Sequence, residues 1–345
     1  MNKRLINLKE LSYARNFIYG LSILWIVFYH CGLSVTSSVL QTIKSYGDCA
    51  VEIFFFMSGC CLYFSYVKNP SPLSFYKKRL LRTLPYYLIF YGVVFTYFNL
   101  IKTPNVGQFF LNYTMVDYWL HGLGNSPWFL AAILVFYALY PLIFKVFFGS
   151  HKHKWIYVML FVTVVTAACV TLSVYFGHLR IFLYRVPIFI LGCIAGKFIY
   201  EGRELKFYHG LILFACLVVF KVLFEHFKDV SVLRNLYYIP LSLTITLVLS
   251  QVYKFNTAYC NVVNKPIEYI GMFSLELYLT HEKVQENVLR ILAACNVEVS
   301  FNNTWYQLAC IALAIGISIG LALLIRCVVG ACKKQIAKRR NAEQQ

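Results

Sequence analysis

The chain has 345 residues, of which 60% are hydrophobic and 13% are charged, and its mean hydropathy is +0.64. A soluble fold of this length could not bury that much apolar side chain, so the composition excludes nucleic-acid-binding modules, disulfide-stabilised small domains and ordinary soluble enzymes. The net charge of +18 is better explained by membrane topology and contact with anionic lipid than by a nucleic-acid partner.

Apolar stretches of about 20 residues recur along the chain and predict an all-α, polytopic membrane bundle of ten transmembrane helices. In chain order the predicted helices cover residues 16–36, 49–66, 83–100, 127–144, 155–176, 181–200, 207–227, 235–253, 267–289 and 305–330. The first is too long for the apolar region of a signal peptide and lacks a small-residue cleavage pattern, so we expect the mature protein to keep it. Residues 1–345 then form one membrane domain, with cytoplasmic tails at 1–15 and 331–345.

The distribution of basic residues sets the predicted orientation. With both termini in the cytoplasm, the cytoplasmic segments carry about three times as many Lys and Arg residues as the outer segments. The longest predicted loop, residues 101–126, then lies outside. Two glycosylation sequons, at Asn112 and Asn302, are on the same side and would matter only in a eukaryotic secretory pathway.

The twelve cysteines show no CxxC pair and no Cys/His ligand spacing, which predicts no metal site. Most of them fall inside apolar helices, where cysteine behaves as a small apolar residue. Cys31 and Cys49, both near the outer surface, could pair in an oxidising compartment.

Ionisable side chains inside the apolar stretches are costly in a bilayer, so each one is a functional hypothesis. Five stand out: His30, Glu52, Arg185, Glu276 and His281. In the predicted orientation the two histidines lie at similar depths in the outer part of the membrane. Separate helices thus place imidazoles, carboxylates and a guanidinium at neighbouring levels.

Two interpretations of these buried charges stay open. They can be polar contacts that hold helices together, or they can form one site. Arg185 is the strongest candidate for a structural role, through an ion pair with Glu52 or contacts with backbone carbonyls. His30 is the strongest candidate for chemistry, because a serine or asparagine would hold helices together without adding a titratable base.

A basic run at Lys77–Arg82 precedes the third apolar stretch. Arg82 is four residues after Lys78 and three after Arg79, so on a helix these cations make one basic face. This face either contacts anionic lipid headgroups or binds a phosphorylated cytosolic ligand. The sequence contains no Walker loop or GxGxxG motif that would bind phosphates in another way.

Six segments, in this order, resemble the membrane-bound acyltransferase-3 family, whose members transfer acyl groups, often acetyl, to cell-surface or exported glycans. The segments are Tyr19–His30, Val51–Gly59, Phe75–Arg79 with Arg82 and Pro85, Trp128–Leu130 with Tyr137 and Pro141, Arg185–Phe189 with Gly192, and Ser274–His281. Each segment alone is weak evidence, but six segments in the family's order are specific, and the resemblance extends over nearly the whole chain. The resemblance implies a bacterial inner-membrane enzyme.

The resemblance implies acetyl-CoA as the donor, bound from the cytoplasm with its phosphates on Lys77–Arg82 and its arm directed toward His30. His30 would deprotonate an acceptor hydroxyl from the outside or carry the acyl group itself. Glu52 would orient His30, and Arg185 or His281 would stabilise the oxyanion. The outer loop 101–126 would shape the acceptor pocket.

One departure from the family concerns the inner half of this site. The family commonly has an Arg eleven positions before the first-helix histidine, where this chain has Tyr19. Either Arg15, about one turn nearer the cytoplasm, takes that role, or the role is lost. We therefore include Arg15 with Lys78, Arg79 and Arg82 as predicted donor-binding residues.

Two other functions stay open on the sequence. A transporter or flippase would use the same buried charges as a substrate or proton pathway, although the sequence shows no internal repeat and no paired broken helices. An inactive family member would bind ligand without transferring or transporting it.

Overall fold

The computed structural model describes residues 4–31, 35–148, 154–227, 231–294 and 304–343. These residues are mostly helical. The α-helices are α1 Lys9–Tyr13, α2 Arg15–His30, α3 Ser38–Ser45, α4 Cys49–Lys68, α5 Pro72–Phe95, α6 Val106–Tyr113, α7 Val116–His121, α8 Trp128–Phe148, α9 Lys154–Tyr175, α10 Arg180–Tyr200, α11 Phe207–His226, α12 Ser231–Tyr259, α13 Asn264–Met272, α14 Ser274–Ala294 and α15 Thr304–Glu343. A π-helical segment, Thr96–Lys102, continues α5, and a 3₁₀ turn, Gly177–Leu179, precedes α10.

Each of the ten predicted stretches is largely helical where the structure describes it. Seven helices in the described parts of the chain are long and apolar enough to cross a membrane. The other predicted stretches differ: α2 has 16 residues and ends at His30, α9 contributes the shorter apolar helix Leu160–Tyr175, and α14 carries several charges. A helical membrane bundle is therefore supported, whereas the count of ten and the orientation stay predictions.

Two short strands, β1 Arg4–Asn7 and β2 Glu204–Lys206, pair antiparallel and join the start of the chain to the segment between α10 and α11. The prediction of purely helical structure missed this ribbon, because four and three residues are too few to give a periodic signal.

Close helix contacts at glycines set the framework of the bundle. On α4 and α10, a Cβ added at Gly59 or Gly192 would collide with the backbone of the other helix at Phe189 or Phe56. A glycine at each of these positions lets the two backbones approach closely, as is common in membrane helix pairs. Glu52 on α4 is thereby brought next to the start of α10.

The ninth predicted helix, 267–289, is two helices in the structure, α13 and α14, which meet at Phe273. The break lets α13 lie against the start of α2, where Gly271 meets the backbone of Asn16 and Gly20 meets that of Ile267. Beyond the break, α14 follows α2 toward His30.

The predicted loop 101–126 contains two helices, α6 and α7, and a buried polar network rather than an open surface loop. Asn112 is fully buried and donates to Asn99 Oδ1 at 3.3 Å, while Gln108 bonds both Asn112 and Asp117 at 3.1 Å. Asn112 is therefore inaccessible as a glycosylation acceptor in this fold. Asn302 lies outside the described residues.

Cys31 and Cys49 lie in separate apolar clusters. Cys31 packs with Cys310 and Ile311, whereas Cys49 packs with Tyr237 and Tyr238. The structure contains no disulfide between them.

Candidate active site

The two predicted histidines meet at one end of the bundle, which we call the histidine end. His30 is the last residue of α2, and its ring lies 5.1 Å from the ring of His281 on α14, centroid to centroid, at an angle of 68°. Gln285, one turn beyond His281, donates to the carbonyl of Val27 at 2.8 Å and fixes the two helices together. Helix packing thus brings together residues that are about 250 positions apart.

Hydrogen bonding determines which nitrogen of His281 is available. Its Nδ1 is 2.6 Å from the carbonyl oxygen of Tyr278, which can only accept, so Nδ1 carries the hydrogen. Nε2 then presents a lone pair. That atom is buried and has no hydrogen-bond partner among the described residues.

The carboxylate beside His30 is Glu282, which the sequence analysis did not select. Its Oε1 is 3.5 Å from Nδ1 of His30. Glu52, predicted to orient His30, is fully buried and instead pairs with Arg185. Glu282 directly follows the histidine of the Ser274–His281 segment, and this adjacency was the one available signal.

Arg185 forms a compensated cluster with residues from three elements. Its Nη2 donates to Asp48 at 2.9 Å, its Nη1 donates to Asn235 at 3.2 Å, and its Nε forms an ion pair with Glu52 at 3.2 Å without hydrogen-bond alignment. The guanidinium also lies 5.6 Å from the ring centroid of Trp128. Each guanidinium nitrogen therefore faces a protein partner, as the structural interpretation of Arg185 expects.

A cavity of about 550 Å³ runs into the bundle from the opposite end, which we call the basic end. The basic side chains on its wall are Arg15, Lys68, Lys78, Arg79, Arg82 and Arg326. None of the described residues on this wall is acidic. Glu276 stands close by, where it accepts a hydrogen bond from Tyr86 and interacts electrostatically with Arg82 and Arg326.

All four predicted donor-binding residues thus line one cavity, and two cations that the sequence analysis did not select join them. Arg79 is buried between the rings of Phe75 and Tyr137, and its Nε has no hydrogen-bond partner among the described residues. Arg326, on α15, also has a buried unpartnered nitrogen, Nη1. Lys68 ends α4. Neither of the added cations belongs to a basic run that would single it out.

Aromatic side chains close the deep end of the cavity beneath the histidines. Phe129 and Tyr278 line it, and the Tyr278 hydroxyl accepts a hydrogen bond from the backbone N–H of Phe129 at 3.3 Å. The Tyr278 ring lies 5.6 Å from the ring of His281. One tyrosine therefore contacts both the cavity and the histidine pair, with its own hydroxyl hydrogen available to donate.

Tyr19 lines the same cavity about one turn deeper than Arg15. Its ring stacks on Phe54 at 5.1 Å, and its hydroxyl lies 3.8 Å from the sulfur of Cys61. The position at which the family commonly has an arginine therefore faces the cations.

A family model described as an acyltransferase domain matches residues 16–323. The match includes the histidine pair and most of the cavity wall, while Arg15 and Arg326 lie just beyond its two ends. No curated protein and no solved structure matches the chain.

Proposed function

This chain belongs to the acyltransferase-3 family, and from that premise we propose that it transfers an acetyl group from cytoplasmic acetyl-CoA to a hydroxyl of a cell-surface or exported glycan. In this proposal the basic end faces the cytoplasm of a bacterial cell, the histidine end faces outward, and the protein is an inner-membrane enzyme.

The observation that carries the proposal is the cavity that runs from the basic end to Tyr278, next to the histidine pair. Six cations surround its basic end, and its deep end lies against Tyr278, which touches His281. Coenzyme A has the matching shape, since its phosphates are at one end and its thioester is at the end of a long, thin arm. Guanidinium groups suit phosphate oxygens particularly well. The volume is also within the usual range for small-molecule sites.

In the proposed reaction, His30 is the general base and Glu282 is its positioning residue. Glu282 faces Nδ1 of His30 and favours a hydrogen there, which leaves Nε2 as the proton acceptor. The acceptor oxygen gives its proton to His30 and attacks the thioester carbonyl. The carbon–sulfur bond then breaks, and the coenzyme A thiol leaves with the proton from His30.

The oxyanion in this reaction needs a hydrogen-bond donor. Arg185 is engaged by Asp48, Asn235 and Glu52, and the N–H of His281 points at a backbone carbonyl, so neither predicted donor is available in this arrangement. Tyr278 is the better candidate, because its hydroxyl is at the deep end of the cavity and retains a hydrogen to donate.

The test is transfer of label from acetyl-CoA by protein purified into liposomes, with crude cell-surface glycan as the acceptor. Wild type is compared with His30→Ala and with a matched control, His121→Ala. His121 is also paired with a carboxylate, Asp117 at 2.9 Å, but it belongs to α7 and not to the cavity wall.

We expect labelled glycan from wild type and His121→Ala and none from His30→Ala. Full transfer by a folded His30→Ala protein would remove His30 from the mechanism. Movement of labelled material across the liposome without a new covalent product would support the transporter instead. Binding of acetyl-CoA without acetyl transfer and without transport would indicate an inactive family member.

A further inference from the structure

The histidine end contains three metal-binding side chains close together. One ligand atom from each of His30, His281 and Glu282 can be chosen so that all three lie within 4.8 Å of one another. The three come from α2 and α14. Ligand spacing along the sequence could not reveal such a set, because one ligand is about 250 positions from the other two.

A second feature points to a ligand at this place. His281 is fully buried, its Nδ1–H is used by the Tyr278 carbonyl, and its Nε2 has a lone pair without a partner among the described residues. A buried acceptor left without a bond costs about 1–3 kcal/mol. A bound cation would satisfy it, and a hydrogen bond to the other nitrogen is the usual way in which a ligating imidazole is held.

The other two ligands leave a route for an ion to enter. The side chains of His30 and Glu282 are 32% and 42% exposed. Lys283, the nearest cation along α14, pairs with Glu286 at 3.3 Å. An ion arriving from the histidine end thus meets a carboxylate and an imidazole before it reaches the buried nitrogen.

From this geometry we infer that His30, His281 and Glu282 bind one first-row divalent metal ion, with zinc as the best match. Two imidazoles and one carboxylate are a zinc ligand set that leaves a fourth position open to water. Ligand atoms around tetrahedral zinc are roughly 3.3 Å apart, given bonds of about 2.0 Å. The 3.5 Å between Nδ1 of His30 and Oε1 of Glu282 already fits, and the side chains of both residues are partly exposed.

The metal site has a consequence that rests on the proposed function. Zinc bound to Nδ1 of His30 would leave the imidazole hydrogen on Nε2, the proposed proton acceptor, so zinc should inhibit acetyl transfer. The binding itself does not depend on that function, and it is measured without substrate.

The experiment uses untagged, full-length protein in detergent, stripped of metal with a chelator and then dialysed against buffered Zn²⁺. Metal content is measured by atomic emission for wild type, Glu282→Gln and His281→Ala. Glu286→Gln is the matched control, since it removes a carboxylate one turn further along the same helix. Gel filtration and thermal unfolding check that each variant is folded.

We expect one zinc ion per chain in wild type and in Glu286→Gln. Loss of a direct ligand should weaken binding by more than the roughly 10- to 100-fold that loss of an outer-shell partner costs. His281 is buried, so His281→Ala can also affect folding. Glu282 is partly exposed, so Glu282→Gln is the variant that tests metal binding separately from folding. Substitution with Co²⁺ should give a spectrum without thiolate charge-transfer bands, which distinguishes this site from the cysteines.

Absence of bound zinc in wild type, or unchanged binding in the Glu282→Gln variant, would overturn the inference. Acetyl transfer that is insensitive to zinc while the ion is bound would overturn only the inhibitory consequence. Stoichiometric zinc binding by a protein that transfers no acetyl group even in its zinc-free form would leave the metal site standing and count against the proposed function.

Discussion

The bundle contains two buried polar regions, the Arg185 cluster and the cavity path from Arg79 to His281. They differ in how far their polar groups are paired with other protein groups. Arg185 has Asp48, Asn235 and Glu52 within 3.2 Å. Along the cavity path, Arg79 Nε and His281 Nε2 are buried with neither a hydrogen bond nor an ion pair among the described residues. Arg185 Nε and the Glu52 carboxylate also lack a hydrogen bond, but they face each other as an ion pair.

Whether a buried polar group is paired distinguishes a structural residue from a functional one better than its burial does. A charge that is already paired with an opposite charge on a neighbouring helix is less available to a substrate. An unpartnered buried atom costs free energy in the folded protein, and a ligand that satisfies it recovers that cost. From the sequence alone, a structural role for Arg185 and a place in the catalytic site both stayed open, since the sequence shows where charges lie but not which ones are paired.

The strongest test of the comparison is Arg185→Met. The substitution leaves Asp48 and Glu52 near each other without their cation, and breaking a buried pair in this way costs about 3–5 kcal/mol of unfolding free energy. We expect a large fall in stability, measured by denaturation in a fixed detergent. His30→Ala, at a partly exposed residue, should change stability by no more than about 0.5 kcal/mol. Equal stability of the two variants would mean that the cluster does not hold the helices.

The next largest effect is expected for Tyr278→Phe. The ring and its packing are kept, and only the hydroxyl proposed to stabilise the oxyanion is removed. Loss of one such donor typically lowers kcat by about 10²–10³-fold. We expect this fall with the KM for acetyl-CoA nearly unchanged, measured by steady-state label transfer.

Tyr118→Phe is the matched control for Tyr278→Phe, because it removes another buried tyrosine hydroxyl that is not on the cavity wall. Burial raises the pKa of Tyr118 to about 12, so its hydroxyl is protonated, as a tyrosine ordinarily is at neutral pH. A kcat for Tyr278→Phe equal to that of the control would exclude Tyr278 as the oxyanion donor.

Arg79→Ala should act on donor binding. Its guanidinium is held between two aromatic rings with Nε unpartnered, so it is placed for a phosphate. A hydrogen bond to a charged group contributes about 1.5–3 kcal/mol, so its loss should raise the KM for acetyl-CoA about 10- to 100-fold. Lys77→Ala removes an exposed cation of the same basic run that lies off the cavity wall, and it should leave KM nearly unchanged. Similar effects of the two variants would indicate a general charge effect.

Much of the fold could be predicted from the sequence, because apolar stretches of membrane length give a strong local signal. The stretches at 49–66 and 207–227 match α4 and α11 to within two residues at each end. The break at Phe273 and the helices inside 101–126 could not be predicted in this way. Both depend on contacts with distant residues, such as Gly271 against Asn16.

Those site residues could be predicted whose side chains are of a type that is rare inside a membrane. His30 and His281 could be selected for that reason, and the structure brings their rings together. Glu282 and Arg326 also lie inside helices, α14 and α15, but nothing local in the sequence distinguishes them from charges that contact water or lipid headgroups. Their relevance comes from pairing and burial, which only the folded arrangement provides.

The smallest effect is expected for substitutions of Arg15 and Tyr19. They test whether this chain has lost the cation that the family commonly has at position 19 or carries it one turn away, at Arg15. Arg15 is exposed at the cavity, so Arg15→Ala should raise the KM for acetyl-CoA only up to about fivefold. Adding Tyr19→Arg restores a cation at the position that the family commonly uses and should return KM to the wild-type value. If Arg15→Ala has no effect while Tyr19→Arg alone lowers KM, Arg15 does not take over the family role, and the other cations of the wall hold the donor without it.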